Sequence, residues 1–457
     1  MKKVYWDLLN SIPDYKEFLT LEELNASSAA LASAHPDCVS EFELGKSTEG
    51  RVIMGLKIGE GSKNALIFGC PHPNEPIGTM LLEHFTKSLA ENEDLRRELD
   101  YTWYIVKVWD ADGYVRNEGW LKGPYTLYNY SRNFYRPVSF KQVDWTFPID
   151  HKNYHFHDTI PETKAMMELI DRVKPAFTYA LHNAGFGGTY FYVTEDYPEL
   201  YPSLYDATFR MGVPLHLGEP EAPSIPVLAP AVLMAEGIEA EYDYLEKFGV
   251  AHPEEVIECG TCSDSYSKQR YGTFTFLTEL PYFFDPRIAD PSPSDKIRGD
   301  VILENLAWTK ASNAKINAVL DKTKQYIDPQ NVYLLAMRDN IREEGMEAEE
   351  KMAKEDPAYR VPATKAQEFD TLWVMKFYRL LAYGMLIRMH EEELAKNPGE
   401  EACKALAWGM EQAAQLHKEL ADELEANLNY SVIPIRTLAN IQLECGLKTA
   451  EYIHGLA

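Results

Sequence analysis

The stretch Ala65-Leu-Ile-Phe-Gly-Cys-Pro-His-Pro-Asn-Glu-Pro-Ile-Gly78 decides the fold. Its first four residues are an apolar run of strand length. Gly69, Pro71 and Pro73 break the run, and Thr79-Met-Leu-Leu-Glu-His-Phe85 then reads as the start of a helix. A strand that hands over to a helix through a short turn is the repeating unit of an α/β fold, in which sites form outside the carboxyl ends of strands. His72 and Glu75 stand in that turn. Three positions apart, an imidazole and a carboxylate can aim at one point, and a catalytic zinc takes three such ligands plus water. Alone, the pair reads as a loop with a capping acid.

Two later stretches change that reading. Pro175-Ala-Phe-Thr-Tyr-Ala-Leu-His-Asn183 is a second apolar run with His182 at its carboxyl end, and Gly272-Thr-Phe-Thr-Phe-Leu-Thr-Glu-Leu280 is a β-rich run ending in Glu279. Three strand ends therefore deliver His72 with Glu75, His182 and Glu279. With the block Ser131-Arg-Asn-Phe134 added, the sequence resembles the zinc carboxypeptidase family, the funnelin or M14 metallopeptidases, from about Gly45 to Asp285. It resembles a bacterial-type member with a C-terminal helical extension.

The resemblance implies a mixed, mainly parallel twisted sheet with helices on both faces. It implies one Zn2+ per chain on His72, Glu75 and His182, with Glu279 as the general base. The substrate would be a peptide with a free C-terminal carboxylate, clamped by Arg132, because a planar guanidinium meets a carboxylate bidentately. Asn133 follows Arg132 in the motif, and Ser131 replaces the first asparagine of the family's Asn-Arg-Asn-Phe. A further cation would face the oxyanion; Lys122 and Arg116 both qualify, and the sequence does not separate them. A tyrosine caps the substrate terminus in the family, and Tyr266 and Tyr271 are the candidates. Counting back from Glu279 lands on Asp264 as the floor of a pocket for a basic side chain, against the alternative of a turn residue bonding its own backbone. Glu219 and Glu221, in a Pro-rich overhanging loop, would add negative potential at the mouth.

Charge excludes other classes. The 457 residues hold 45 Lys and Arg against 71 Asp and Glu, a net charge of −26. Nucleic acid needs a basic surface, and anionic membranes are disfavoured for the same reason. No run of about eighteen apolar residues is present. Asp7, Asp14 and Glu17 interrupt the start of the chain at once, so no signal peptide is expected. Six cysteines are too sparse for a disulfide scaffold, and a cytoplasmic location is expected. An oligomer is left open.

Residues 1–40 read as a helical lead-in, with a capping box at Thr20 and Glu23. Residues 41–290 read as the catalytic domain, opening on a hairpin around Ser47-Thr-Glu-Gly50 and carrying an exit turn at Asp110-Ala-Asp-Gly-Tyr114. His151, His155 and His157 read as a polar loop and not as a metal cluster. Residues 197–262 read as irregular, Ser263-Asp-Ser-Tyr-Ser267 as loop after Cys259-Gly-Thr-Cys262, and 286–296 as a linker. Residues 297–457 show apolar spacing of period 3.6 and read as a helical domain to which the resemblance gives no function. Two rivals stand beside the peptidase: a zinc deacylase of the succinylglutamate desuccinylase or aspartoacylase type, and a non-catalytic peptide-binding module.

Overall fold

The computed structural model describes residues 2–456. Its central sheet has nine strands: β1 (Val39–Lys46), β2 (Val52–Ile58), β3 (Lys63–Gly69), β4 (Tyr101–Val106), β5 (Phe177–His182), β6 (Tyr190–Val193), β7 (Val227–Ala229), β8 (Val232–Met234) and β9 (Phe274–Glu279). In space they lie in the order β1-β2-β4-β3-β5-β9-β6-β8-β7. The middle four, β4, β3, β5 and β9, are mutually parallel. β1 and β2 form an antiparallel flank on one side, and β6 turns antiparallel to β9 on the other. β5 is buried along its whole length, as the near-continuous apolar run demands of a parallel strand covered on both faces.

The chain leaves β3 for β4 on one side and then for β5 on the other, so the crevice at the carboxyl ends of β3 and β5 is the place for a site. Register makes this specific. Gly69 pairs with Leu181, and His182 pairs with Glu279.

The helix Ile77–Glu91 covers one face, and Pro161–Val173 lies on the other, beside β1. At the N-terminus lie the helices Lys3–Asn10 and Leu21–Ala34, the second opened by the Thr20–Glu23 capping box. Several stretches read as irregular are ordered elements. Residues 197–262 contain the helices Tyr201–Arg210 and Ile238–Lys247. Asp110 is an N-cap, accepting from the Gly113 N–H at 2.8 Å, so its exit turn is a helix start. Cys262 opens the helix Ser263–Tyr271, and both it and Cys259 are free thiols.

The C-terminal region departs most from expectation. The 286–296 stretch contains a short 3₁₀ turn and the strand Pro293–Ile297, which pairs with Pro362–Thr364, so it is not a linker. The last helix, Ile435–Gly455, lies on β5, β9 and the helix Ile77–Glu91, and it completes that face of the sheet. Gly446 allows it: a Cβ there would stand 2.3 Å from the Tyr179 ring. The Tyr179 hydroxyl donates to the Gln442 carbonyl at 2.6 Å, and Gln442 Nε2 donates to the His182 carbonyl at 3.2 Å. One hydrophobic core runs from Tyr5 to Ile453. Residues 297–456 are therefore mainly helical but share the core of 41–290. A 3.6-residue period identifies a helix and says nothing of what it packs on. None of the described helices is long and apolar enough to cross a membrane.

Candidate active site

Cys70 takes a left-handed φ of 49°, which swings the chain out of β3 into the turn carrying the first two ligands. The Glu75 N–H donates to the His72 carbonyl at 3.2 Å and closes that turn. His72 Nδ1 lies 3.0 Å from Glu75 Oε1, His182 Nδ1 lies 3.1 Å from Glu75 Oε2, and the two Nδ1 atoms are 3.3 Å apart. The turn is tied to the end of β5: the Asn183 N–H donates to Glu75 Oε2, and Asn183 Oδ1 accepts from the Ile77 N–H. All three residues are buried, and among the described residues they form the one group of His, Cys, Asp or Glu whose ligand atoms converge closely enough for a metal. Two imidazole nitrogens and a carboxylate facing one point fit a divalent cation of zinc's ligand preference. Both Nε2 atoms are buried without a partner, which leaves Nδ1 as the nitrogen turned to the shared point.

Electrostatics agree with the donor set. Burial, and then the Arg136 charge, lower the His72 pKa to about 3, so the ring is neutral and has a lone pair to give. Burial works against ionisation of Glu75, but the two imidazoles hold its carboxyl well below the usual range. Burial also works against a charged His182, but its bond to Glu75 raises its pKa. Glu279 Oε1 ends 3.6 Å from His182 Nδ1. Burial, then the charges of Glu75 and Glu221, push the Glu279 carboxyl well above its ordinary value. A cation among the three ligands would draw it back down.

The constellation opens into a cavity of about 770 Å³. One wall belongs to the sheet and its loops; the opposite wall is helical, with Asn340, Met352, Val374, Tyr378 and Met385. Seven acidic residues line the cavity and, among the described residues, a single arginine, Arg136. Arg136 Nη1 lies 3.6 Å from Glu75 Oε1. The sequence reading missed Arg136, although it stands four residues beyond Arg132 in the same block.

Several expected site residues lie elsewhere. The helix Leu127–Asn133 turns Tyr130 into the cleft. Two residues on, about 200° around the helix, Arg132 points away from it and pairs with Glu391 of the helix Met375–Ala395. Ser131 is buried in the same seam, its hydroxyl 2.8 Å from His417 Nε2, and Asn133 Nδ2 bonds back to the Asn129 carbonyl. Lys122 pairs on the surface with Glu17 and Glu23. Arg116 pairs with Glu49 and lies over the Tyr135 ring. Tyr266 and Tyr271 both donate to Asp171, outside the cleft. Asp264 is buried in the helix Ser263–Tyr271, where burial pushes its carboxyl up, and it accepts from the Ser265 N–H at 2.9 Å; it does not line the cavity. These eight residues shared a motif or a count with the site, but helix direction turned them elsewhere. The His151–His157 stretch is a short hairpin whose His155 and His157 sit on Asp150.

Known proteins supply an independent comparison. The family model described as zinc carboxypeptidase matches residues 24–221, a span that includes His72, Glu75 and His182. The chain is 31% identical over 107 residues to zinc carboxypeptidase A 1 of Anopheles gambiae, covering 22% of this chain and 25% of that protein. It is 27% identical over 127 residues to mast cell carboxypeptidase A of Mus musculus, covering 26% and 30%. It thus spans about a quarter to a third of the curated relatives it matches. Among solved structures, carboxypeptidase A from Helicoverpa armigera aligns at 16% identity with a TM-score of 0.39, over 61% of this chain and 71% of that one. The matched span, with His72, Glu75 and His182 inside it, supports a likeness to the zinc carboxypeptidase family.

Proposed function

We propose that the chain is a zinc-dependent carboxypeptidase acting on short peptides. The observation that carries the reading is the convergence of His72 Nδ1, Glu75 and His182 Nδ1 on one point, with Glu279 3.6 Å from His182. Zinc bound there would polarise a carbonyl and lower the pKa of a water it holds towards about 7. Glu279 would take that water's proton and return it to the leaving amine. Arg136, the arginine of the cavity wall, would stabilise charge developing on the carbonyl oxygen. Asn183 holds Glu75 in orientation through its backbone N–H, and buried aromatic residues such as Tyr130 and Phe186 restrict water. A cavity of about 770 Å³ walled by the helical region suits a short peptide better than a folded protein.

The test is hydrolysis of matched di- to tetrapeptides with free or amidated C-termini, with and without a chelator. The reading expects release of the last residue from free-carboxylate peptides alone, abolished by chelation and restored by zinc. Equal cleavage of amidated peptides contradicts the carboxypeptidase assignment. Cleavage of N-acyl amino acids alone favours the deacylase.

A further inference from the structure

Glu221 sits in Gly218-Glu-Pro-Glu-Ala-Pro223, where two prolines stiffen the loop over the cleft. Its carboxylate accepts from the Tyr190 hydroxyl and, at 3.0 Å, from the Tyr192 hydroxyl. The two tyrosines are two residues apart on β6, so they share one face of the sheet. Tyr190 pairs in register with Glu279 on β9, which brings the loop carboxylate beside the reacting centre. Hydroxyl donors anchor a carboxylate without neutralising it. Glu219, two residues earlier, is neutralised: Arg298 Nε lies 2.6 Å from its Oε1. No basic side chain among the described residues pairs with Glu221 in this way.

Tyr378 faces the same space from the opposite wall. It follows the π-helical turn Asp370–Val374, a distortion common where a helix lines a functional site. It is 38% exposed, within the cavity. Tyr378 and Glu221 both line this cavity. A carboxylate held by two tyrosine hydroxyls, in a cavity with seven acidic residues and one arginine, attracts a cation through charge and through the rings' negative faces.

Resting on the peptidase reading, we propose that Glu221, Tyr190, Tyr192 and Tyr378 form a subsite for a cationic group on the substrate, an ammonium or a guanidinium. The helical region thereby contributes a substrate contact as well as a wall.

The test uses the full-length, zinc-loaded protein and N-acylated dipeptides with Lys, Arg, Leu or Phe at either position. Basic substrates should be favoured in kcat/KM by at least about tenfold, the factor that 1.4 kcal/mol produces. Glu221→Gln should cut that ratio by a similar factor, mainly through KM, and Tyr378→Ala should cut it by less. A second readout needs no turnover: free arginine should bind the wild type more tightly than norleucine by calorimetry, and Glu221→Gln should remove the difference. Preference for Leu or Phe, or a Glu221→Gln variant that weakens all substrates equally, overturns the subsite and leaves the peptidase standing. If no peptide is cleaved, the peptidase reading fails, and the arginine comparison alone decides whether the subsite exists.

Discussion

The crevice of the sheet and the helical region beyond residue 297 form two walls of one cavity, yet their sequences are built differently. The crevice is written in short local signals. Each apolar run stops at a side chain with metal or acid–base chemistry, and strand register then brings His182 opposite Glu279. The helical region has no such stops. Its period identifies helices, but Tyr378 and Met385 reach the cleft only because the helix Met375–Ala395 packs on Leu127–Asn133. The helix Ile435–Gly455 reaches the sheet from still further along the chain. Chemistry that sits at the end of a strand is locally encoded; chemistry that sits on a packed helix is encoded in the packing.

The largest effect should come from breaking the shared core. A chain ending at residue 296 lacks the helix Ile435–Gly455, which packs on β5 and β9 and buries Leu438, Ile441, Leu443 and Leu447. It should show no cooperative thermal transition by circular dichroism. A cooperative melt near that of the full chain would mean that the two regions fold separately.

The two arginines sharpen the comparison next. Arg136→Ala should lower kcat/KM by about 10²–10³, the usual effect of losing an oxyanion donor. Arg132→Ala, which removes a partner of Glu391 outside the cavity, should cost much less. The reverse order, read from steady-state kinetics on one free-carboxylate peptide, would return the clamp to Arg132.

At the seam between the walls, Gly384 allows backbone contact: a Cβ there would lie 1.8 Å from the Ser131 carbonyl oxygen. Gly384→Ala should destabilise by about 3 kcal/mol, the upper part of the range for overpacking, as measured by denaturant melts. An unchanged midpoint would show that the seam yields freely.

The smallest effect concerns His417, buried at that seam against Ser131. Burial, then the Arg132 charge, lower its pKa from 6.5 to about 4. The unfolded chain therefore binds the extra proton between those values, and stability falls as pH drops from 6.5 towards 4. Between pH 7 and pH 5 the loss from this group should be about 2 kcal/mol. His417→Gln should flatten that part of the stability profile; a profile of the same slope would assign the dependence to other groups.

Much of the site was legible in the sequence because strands expose their ends. The Ala65–Gly78 stretch gave a strand, a turn and a helix, and β1 and β2 form the hairpin read around Ser47-Thr-Glu-Gly50. What stayed hidden was direction. Arg132 and Arg136 stand in one block, but only helix phase turns the first away and only the extended backbone after Asn133 carries the second inward. Asp264 was reached by counting along the chain, yet a helix start at Ser263 buried it away from the cavity. No signal in the composition of residues 297–456 could have said that Tyr378 lines the same cavity as Glu221, since that placement depends on long-range packing.

The central claim, that three strand ends hold one metal, is tested most directly by zinc content. Protein purified without chelator should carry about one zinc per chain by plasma mass spectrometry, as a three-ligand site requires. Folded His72→Ala and His182→Ala variants should carry almost none. A wild type that takes up no zinc, or variants that hold a full equivalent, would contradict the claim.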